Sequence, residues 1–345
     1  MALLTVDSFD HYTTITHKSW SLNGGGTYTG TISAGNGRNS TDSMRITTVG
    51  TSTASYVTKA LSSSGATAIV GVAWKVAALP GTNHEILQIL ESGSVQVGLE
   101  ITSSGALRVY RSTSGTTLIT TAGIISAGVW YFLELKVTIA NSGGTAEIKV
   151  DGVSEGSFSG DTQNTGNATW SSISLGQRTG TNLTHTQDFD DLYVCDGSGG
   201  VEDDFLGDHR IVAVVASSGD GSNTDWSLST GSDHGALVDE NPPNTTDYVL
   251  SGTSGQRDTY NFAAVGVTGT VKAVQTLRFI KAEVAGVRSV APVVRISSTN
   301  YDGTTQAVGS DWIYQHEIYR VSPATSSAWT ISEIDGAEFG AKVTA

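Results

Sequence analysis

The 345-residue chain has few of the residues that staple or stiffen a fold. Its one cysteine, Cys195, excludes an intrachain disulfide and a cysteine-built zinc site. Charged residues make up 15%, too few for a long-helix or coiled-coil protein. Hydrophobic residues reach 38%, too many for a disordered chain. There are only five prolines, and the 41 glycines follow no Gly-X-Y period, which excludes collagen. The most apolar runs, around Gly123–Leu135 and Ile211–Ala216, fall well short of the ~20 residues a membrane helix requires. No basic segment precedes the short apolar start, so no signal peptide is expected. Nineteen basic residues face 33 acidic ones, a net charge of −14. That field repels a phosphate backbone and argues against a nucleic-acid partner. Together these absences predict a soluble chain without membrane insertion, made without a leader and folded in a reducing cytoplasm.

What is present reads as strands. Length alone predicts about two domains of ~100–200 residues each. Runs rich in Val, Ile, Thr and aromatics recur at short spacing: Ala66–Val76, Glu85–Leu90, Val95–Thr102, Leu107–Ser112, Trp130–Ala140, Ala146–Val150, Ser172–Gly176 and Asp188–Cys195. Asp151-Gly152 after Ala146–Val150 is a strong hairpin signal. The pattern predicts an all-β sandwich or jelly roll over 1–196. Asp196-Gly-Ser-Gly-Gly200 reads as flexible, so a linker is expected over 197–203 and a second β-sandwich domain over 204–345. In that domain Ile211–Ala216, Tyr248–Ser251, Thr259–Ala264, Val271–Val284, Val287–Ser297 and Trp312–Val321 read as strands. Ile331, Ile334, Phe339 and Val343 would line one face of a short C-terminal helix.

Motifs with chemistry are mostly incomplete. His84-Glu85 and His316-Glu317 each begin the two-histidine zinc motif, but Gln88 and Arg320 stand where the second histidine belongs. Gly152-Val-Ser154-Glu-Gly156 matches a nucleophile elbow in letters, yet it follows a hairpin signal and no helix comes after it. No phosphate-binding Gly-x-x-x-x-Gly-Lys run exists, and Gly24-Gly25-Gly26 lacks dinucleotide spacing. Asp188, Asp190 and Asp191 form an oxygen-rich group that suits calcium, the one cofactor the sequence suggests. A further acidic run, Glu202 to Asp208, and an oxygen-rich loop, Asp220 to Asp225, read equally well as solvated rims. Among seven tryptophans, Trp20, Trp170 and Trp226 sit in polar contexts and are the candidates for stacking on a glycan.

Several of these segments also carry a resemblance. Phe9-Asp10, the strand with Trp74, Gly128-Val-Trp130-Tyr-Phe-Leu-Glu134, Ala146-Glu-Ile-Lys-Val-Asp151-Gly152 and Phe189-Asp190-Asp191-Leu-Tyr-Val194 resemble the concanavalin A-like, laminin-G-type jelly roll. The junction from Asp190 through Asp208, with Val238-Asp-Glu240, Tyr248 and Ala328-Trp-Thr-Ile-Ser-Glu-Ile-Asp335, is similar to tailed-bacteriophage virion structural proteins. That resemblance implies a non-enzymatic protein of the particle exterior, localised to the virion. It would be tail-associated, of fibre or adhesion type, and able to bind host surface glycan. The alternatives are a head decoration or cement protein, or a stand-alone carbohydrate-binding lectin module. Its partners would be other virion proteins and copies of itself in a homo-oligomer. Retaining glucanases of this fold carry paired carboxylates on one strand. Here the matching strand has Glu134 with Lys136 two residues on, which argues against a depolymerase.

Overall fold

The computed structural model describes residues 3–24, 29–50, 53–61, 65–113, 115–181, 184–283 and 288–345. The glycine run at 24–26 therefore lies largely outside the described residues. The chain divides into two units, Met1–Ile211 and Val212–Ala345.

Unit 1 is a two-sheet sandwich, as the strand pattern predicts. One sheet runs β13 (Val153–Gly160), β12 (Gly144–Val150), β11 (Trp130–Thr138), β6 (Thr67–Val76), β15 (His185–Cys195), β4 (Ser43–Thr48) and β3 (Thr29–Ser33), with β1 (Leu3–Asp7) also on β15. The other runs β10 (Thr117–Gly123), β9 (Ala106–Arg111), β8 (Ser94–Ile101), β7 (His84–Glu91), β14 (Ser172–Thr181), β5 (Thr53–Ala60) and β2 (Trp20–Gly24). All pairings in both sheets are antiparallel.

Side-chain alternation fixes which face meets the core. In β12, Ala146, Ile148 and Val150 are buried while Thr145, Glu147 and Lys149 are partly or fully exposed. The β12–β13 turn places Asp151 and Gly152 both at positive φ, the conformation a two-residue hairpin requires. Trp74 lies wholly in the core, and its indole N–H donates to Gln187 Oε1 at 2.7 Å. His84 and His185 also lie inside, ring centroids 3.9 Å apart. Burial lowers their pKa values to about 2 and about 4, so both are neutral near pH 7.

The segment leading out of β15 stays with unit 1 through Ile211, past the residue 204 at which the second domain is expected to start. Residues 204–211 form a strap over the outer face of β11, β6 and β15. Gly207 N–H donates to Glu134 Oε1 at 2.8 Å, and Leu206 N–H to the Tyr193 hydroxyl at 3.1 Å. The His209 ring rests 5.3 Å from Phe132 and 5.0 Å from Tyr193. Asp208 accepts both terminal nitrogens of Arg38, at 2.6 and 2.7 Å, and Lys136 pairs with Asp204 at 2.9 Å.

Unit 2 builds a six-stranded sheet from β16 (Ala216–Thr224), β19 (Arg257–Phe262), β25 (Glu338–Val343), β21 (Ser289–Ile296), β22 (Thr299–Asp302) and β23 (Gln306–Ala307). Two separate pairs complete it: β17 (Ser227–Leu228) with β18 (Val249–Leu250), and β20 (Val274–Ile280) with β24 (Ile313–Tyr319). The C-terminal helix expectation is half right. Helix α1 covers only Ile331–Asp335, and Phe339 and Val343 lie in strand β25, paired with Val294 and Val290 of β21. Gly336 ends the helix, and β25 finds partners on both sides. The apolar run at 211–215 forms no strand, whereas the polar Ala216–Thr224 does. Among the described residues no helix is long and apolar enough to cross a membrane.

Candidate functional site

The richest set of chemical groups lies on the β7–β8–β9 face turned away from the other sheet. Val97, Leu99 and Ile101 of β8 fill the core, so alternation turns Gly98 and Glu100 outward. Cross-strand register sets Glu85 beside Glu100, Glu100 beside Arg108, and Gly98 beside both Gln88 and Tyr110. Because Gly98 has no side chain, the Tyr110 ring lies across it; a Cβ there would collide with the ring. The phenol thus reaches over β8 and donates to Glu85 Oε1 at 2.9 Å.

Glu85 is nearly saturated. The same Oε1 accepts the Thr179 hydroxyl at 3.0 Å, and Oε2 accepts the N–H groups of Arg178 and Thr179 at 2.7 and 2.8 Å. Glu100 pairs with Arg108 Nε at 2.7 Å and accepts from the Asn83 amide. Burial raises the Glu100 carboxyl above its ordinary range, with Arg108 and Asn83 pulling the other way. Burial, and then the Glu85 charge, raise Tyr110 far above an ordinary phenol. Tyr110 is therefore a fixed donor near pH 7, not a base. Gln88 accepts from Ser174 at 2.5 Å and donates to Gly176 O at 3.2 Å. Arg108 is the exposed member, its side chain 22% accessible, with its guanidinium 5.3 Å above the Tyr110 ring. The face offers the partly exposed Arg108 guanidinium beside the Glu100 carboxylate and the Asn83 amide, with Glu85 and Tyr110 buried beneath them, a set suited to holding hydroxyl groups.

The residues singled out by sequence are placed elsewhere. Trp20 and Trp170 are buried, which removes both as glycan platforms. Their indole N–H groups find internal acceptors, Asp7 Oδ2 at 3.0 Å and Thr67 O at 2.8 Å, so polar surroundings did not keep them at the surface. Trp226 is half-buried and donates to Gln256 O at 3.4 Å. The three aspartates serve separate structural ends. Asp188 accepts Arg45 Nε at 2.7 Å and Nη2 at 3.0 Å, with Lys75 at 3.5 Å. Asp190 accepts the N–H of Arg38 at 2.7 Å and of Asp191 at 2.8 Å. Asp191 accepts Ile211 N–H at 2.7 Å and lies 3.7 Å from Arg38. Burial, with like charge nearby, raises Asp190 to about 8; burial likewise raises Asp191 and Asp10 to about 6. Among the described residues no group of three or more His, Cys, Asp or Glu is arranged to hold a metal ion. The calcium expectation for Asp188, Asp190 and Asp191 thus finds no ligand geometry.

The incomplete motifs fall apart in space. His84 lies in the core while Glu85 lies on the outer face. Ser154 sits on the β12–β13 hairpin and donates to Glu147 at 2.9 Å, with no helix behind it. Glu85 appeared only in the failed His84-Glu85 motif, and Glu100, Arg108 and Tyr110 carried no motif. The available signal was a glycine inside a strand pattern, Gly98, which marks a close approach of another group.

No protein-family model matches the chain, and no curated protein matches it. Solved structures of similar shape exist. A cellulose-induced protein matches at 14% identity and TM-score 0.45, over 55% of this chain and 96% of that one. An endo-β-1,4-glucuronan lyase from the fungus Trichoderma reesei matches at 16% and 0.40, over 51% and 90%. A carbohydrate-binding module, CBM66 from Bacillus subtilis, matches at 14% and 0.33, over 51% and 94%. These likenesses are distant and assign no activity or ligand to this chain. They do correct the expectation of a non-enzymatic protein. A glucuronan lyase and alginate lyases are among the neighbours.

Proposed function

We propose that unit 1 is a carbohydrate-recognition module whose ligand lies on the β7–β8–β9 face. The observation that carries the reading is the cross-strand row Glu85, Glu100 and Arg108 with Asn83 beside Glu100, polar groups held in fixed positions by their own hydrogen bonds. Such a row recognises vicinal hydroxyls without first having to order itself. Arg108, half-exposed at the edge of the row, makes the first contact. The test is glycan-array screening followed by calorimetry on the best ligand. Arg108→Ala should weaken binding by about tenfold or more, the loss of a charge-assisted hydrogen bond of ~1.5–3 kcal/mol. Unchanged affinity in a folded Arg108→Ala protein would place the ligand elsewhere.

A second reading concerns where the module works. We propose that it is displayed on a bacteriophage particle, with copies of itself and other virion proteins as neighbours. Support comes from the resemblance of the Asp190–Asp208 junction and the Ala328–Asp335 segment to virion structural proteins. The net charge of −14 fits an outward-facing part better than one touching packaged nucleic acid. Mass spectrometry of purified particles from the phage that encodes it should find the chain in stoichiometric amount; its absence from clean particles would remove this reading while leaving glycan binding intact.

A further inference from the structure

Unit 2 carries an aromatic surface that neither the sequence motifs nor the unit 1 site uses. It is built on the two-stranded ribbon β20–β24. One face of the ribbon is tied to the rest of unit 2: Glu317 accepts Thr304 N–H at 2.8 Å, and Gln315 donates to Ala307 O at 2.6 Å. Alternation puts Leu277, Phe279, Tyr314 and Ile318 on the other face. Phe279 stands 4.9 Å from Tyr314 and lies nearly parallel to Trp312, 5.2 Å away at 19°. Tyr248 meets the edge of Trp312 at 6.4 Å. Trp312, Phe279 and Tyr248 are all half-buried, so their rings keep open area. Lys281 is exposed, and its ammonium hangs 5.2 Å from the Trp312 ring centre. Among the described residues no carboxylate pairs with Lys281.

We infer that Trp312, Phe279, Tyr248 and Lys281 form a binding site for an acidic sugar, a pyranose bearing a carboxylate. The ring face of a pyranose presents C–H groups of partial positive charge, which match the electron-rich face of an indole. The unpaired ammonium beside that indole supplies the counter-charge for the carboxylate. Charge complementarity also narrows the choice of ligand. The chain as a whole repels anions, so an acidic sugar is held only where an unpaired cation is within about a Debye length, ~8 Å at physiological salt. This site is independent of the one on unit 1.

Calorimetry of the full chain against an oligoglucuronate and a matched neutral glucan tests the inference. The oligoglucuronate should bind more tightly than the glucan, and the difference should shrink at about 0.3 M NaCl, where screening is stronger. Trp312→Ala should weaken the oligoglucuronate about tenfold, equivalent to ~1.4 kcal/mol. Lys281→Met, at an exposed position, leaves the fold intact and should weaken the oligoglucuronate about fivefold while sparing the glucan. Arg108→Ala should leave this component unchanged, which separates it from the unit 1 site. Equal affinity for the two sugars, or no effect of Lys281→Met, overturns the inference. So does a wild-type oligomer that sedimentation shows to dissociate in Trp312→Ala, because the rings would then be covered by a second copy.

Discussion

The two outer faces of the unit 1 sandwich repeat one device and finish it differently. On each face a tyrosine lies across a glycine of the next strand and reaches a glutamate. Tyr193 crosses Gly71 and donates to Glu134 at 2.5 Å; Tyr110 crosses Gly98 and donates to Glu85 at 2.9 Å. On the first face the strap then closes over the pair, supplying Gly207 N–H to Glu134 and His209 against Tyr193. On the second, Glu85 takes its remaining donors from β14, and Arg108 is left partly open to solvent. The lesson is that one local geometry is structural or available for binding according to what the chain places on top of it.

The first way to break the comparison is to fill the glycines. Gly71→Ala should cost ~3 kcal/mol, because the Tyr193 ring is pinned on all sides and cannot yield. Gly98→Ala should cost less, ~1–2 kcal/mol, since its Cβ would meet the Tyr110 ring less closely than a Cβ at Gly71 meets Tyr193, and no strap covers that ring. Urea unfolding of both variants measures the difference, and equal costs would show that the strap adds no rigidity.

Removing the hydroxyls is a gentler probe. Tyr193→Phe strips a donor from Glu134, whose Oε2 has no partner among the described residues, and an acceptor from Leu206, so ~2 kcal/mol is expected. Tyr110→Phe leaves Glu85 three other donors and should cost ~1 kcal/mol or less.

Arg38→Ala tests the strap itself. It removes the paired contact with Asp208 and the approach to Asp191, both only partly shielded from solvent, so the loss in global stability should be ~1 kcal/mol or less. Hydrogen exchange should nonetheless speed up at Leu206 and Gly207, whose N–H groups the strap protects. No change there would mean that Glu134 and Tyr193 hold the strap without Arg38.

The smallest expected effect is a pH slope. Asp190 has a folded pKa near 8, above its unfolded value, so the folded state holds that proton more tightly. The stability this confers is complete below the unfolded value and fades as pH rises through about 8. Below about pH 6.5 the buried His11, His84 and His185 act in the opposite sense, because the unfolded state takes protons that they refuse. Toward higher pH the buried Lys59, lowered to about 8, and Lys18, also lowered, act in the opposite sense, so the window is about pH 6.5 to 7.5, where thermal unfolding of the wild type should decline with pH more steeply than that of Asp190→Asn.

Much of unit 1 is legible in the sequence because its strands alternate. Ala146–Val150 and Trp130–Ala140 announce both their strands and their faces, and Asp151-Gly152 announces the turn. The short N-terminal strands β1 to β5 carry less pattern, and their place is set by pairing with β15 and β14. In unit 2 the polar Ala216–Thr224 becomes a strand because β19 lies beside it, not because its residues favour one. The candidate site was the least legible part. Trp20 and Trp170 looked like surface residues, but an internal acceptor for each indole N–H reverses that. Glu85 and Glu100 looked ordinary, and only register sets them side by side.

By itself the sequence determined the class of the protein: all-β, acidic, without disulfides, punctuated by glycine into hairpins. These follow from composition and from a two-residue period, which are local properties of a chain. Only the tertiary structure decided that residues 204–211 close over unit 1 as a strap and do not open the second domain, that Asp188 turns to Arg45 while Asp190 and Asp191 turn to Arg38, and that Tyr110 meets Glu85 across a strand. Each of those depends on residues far apart in sequence and near in space, and a contact of that kind leaves no trace in composition or spacing.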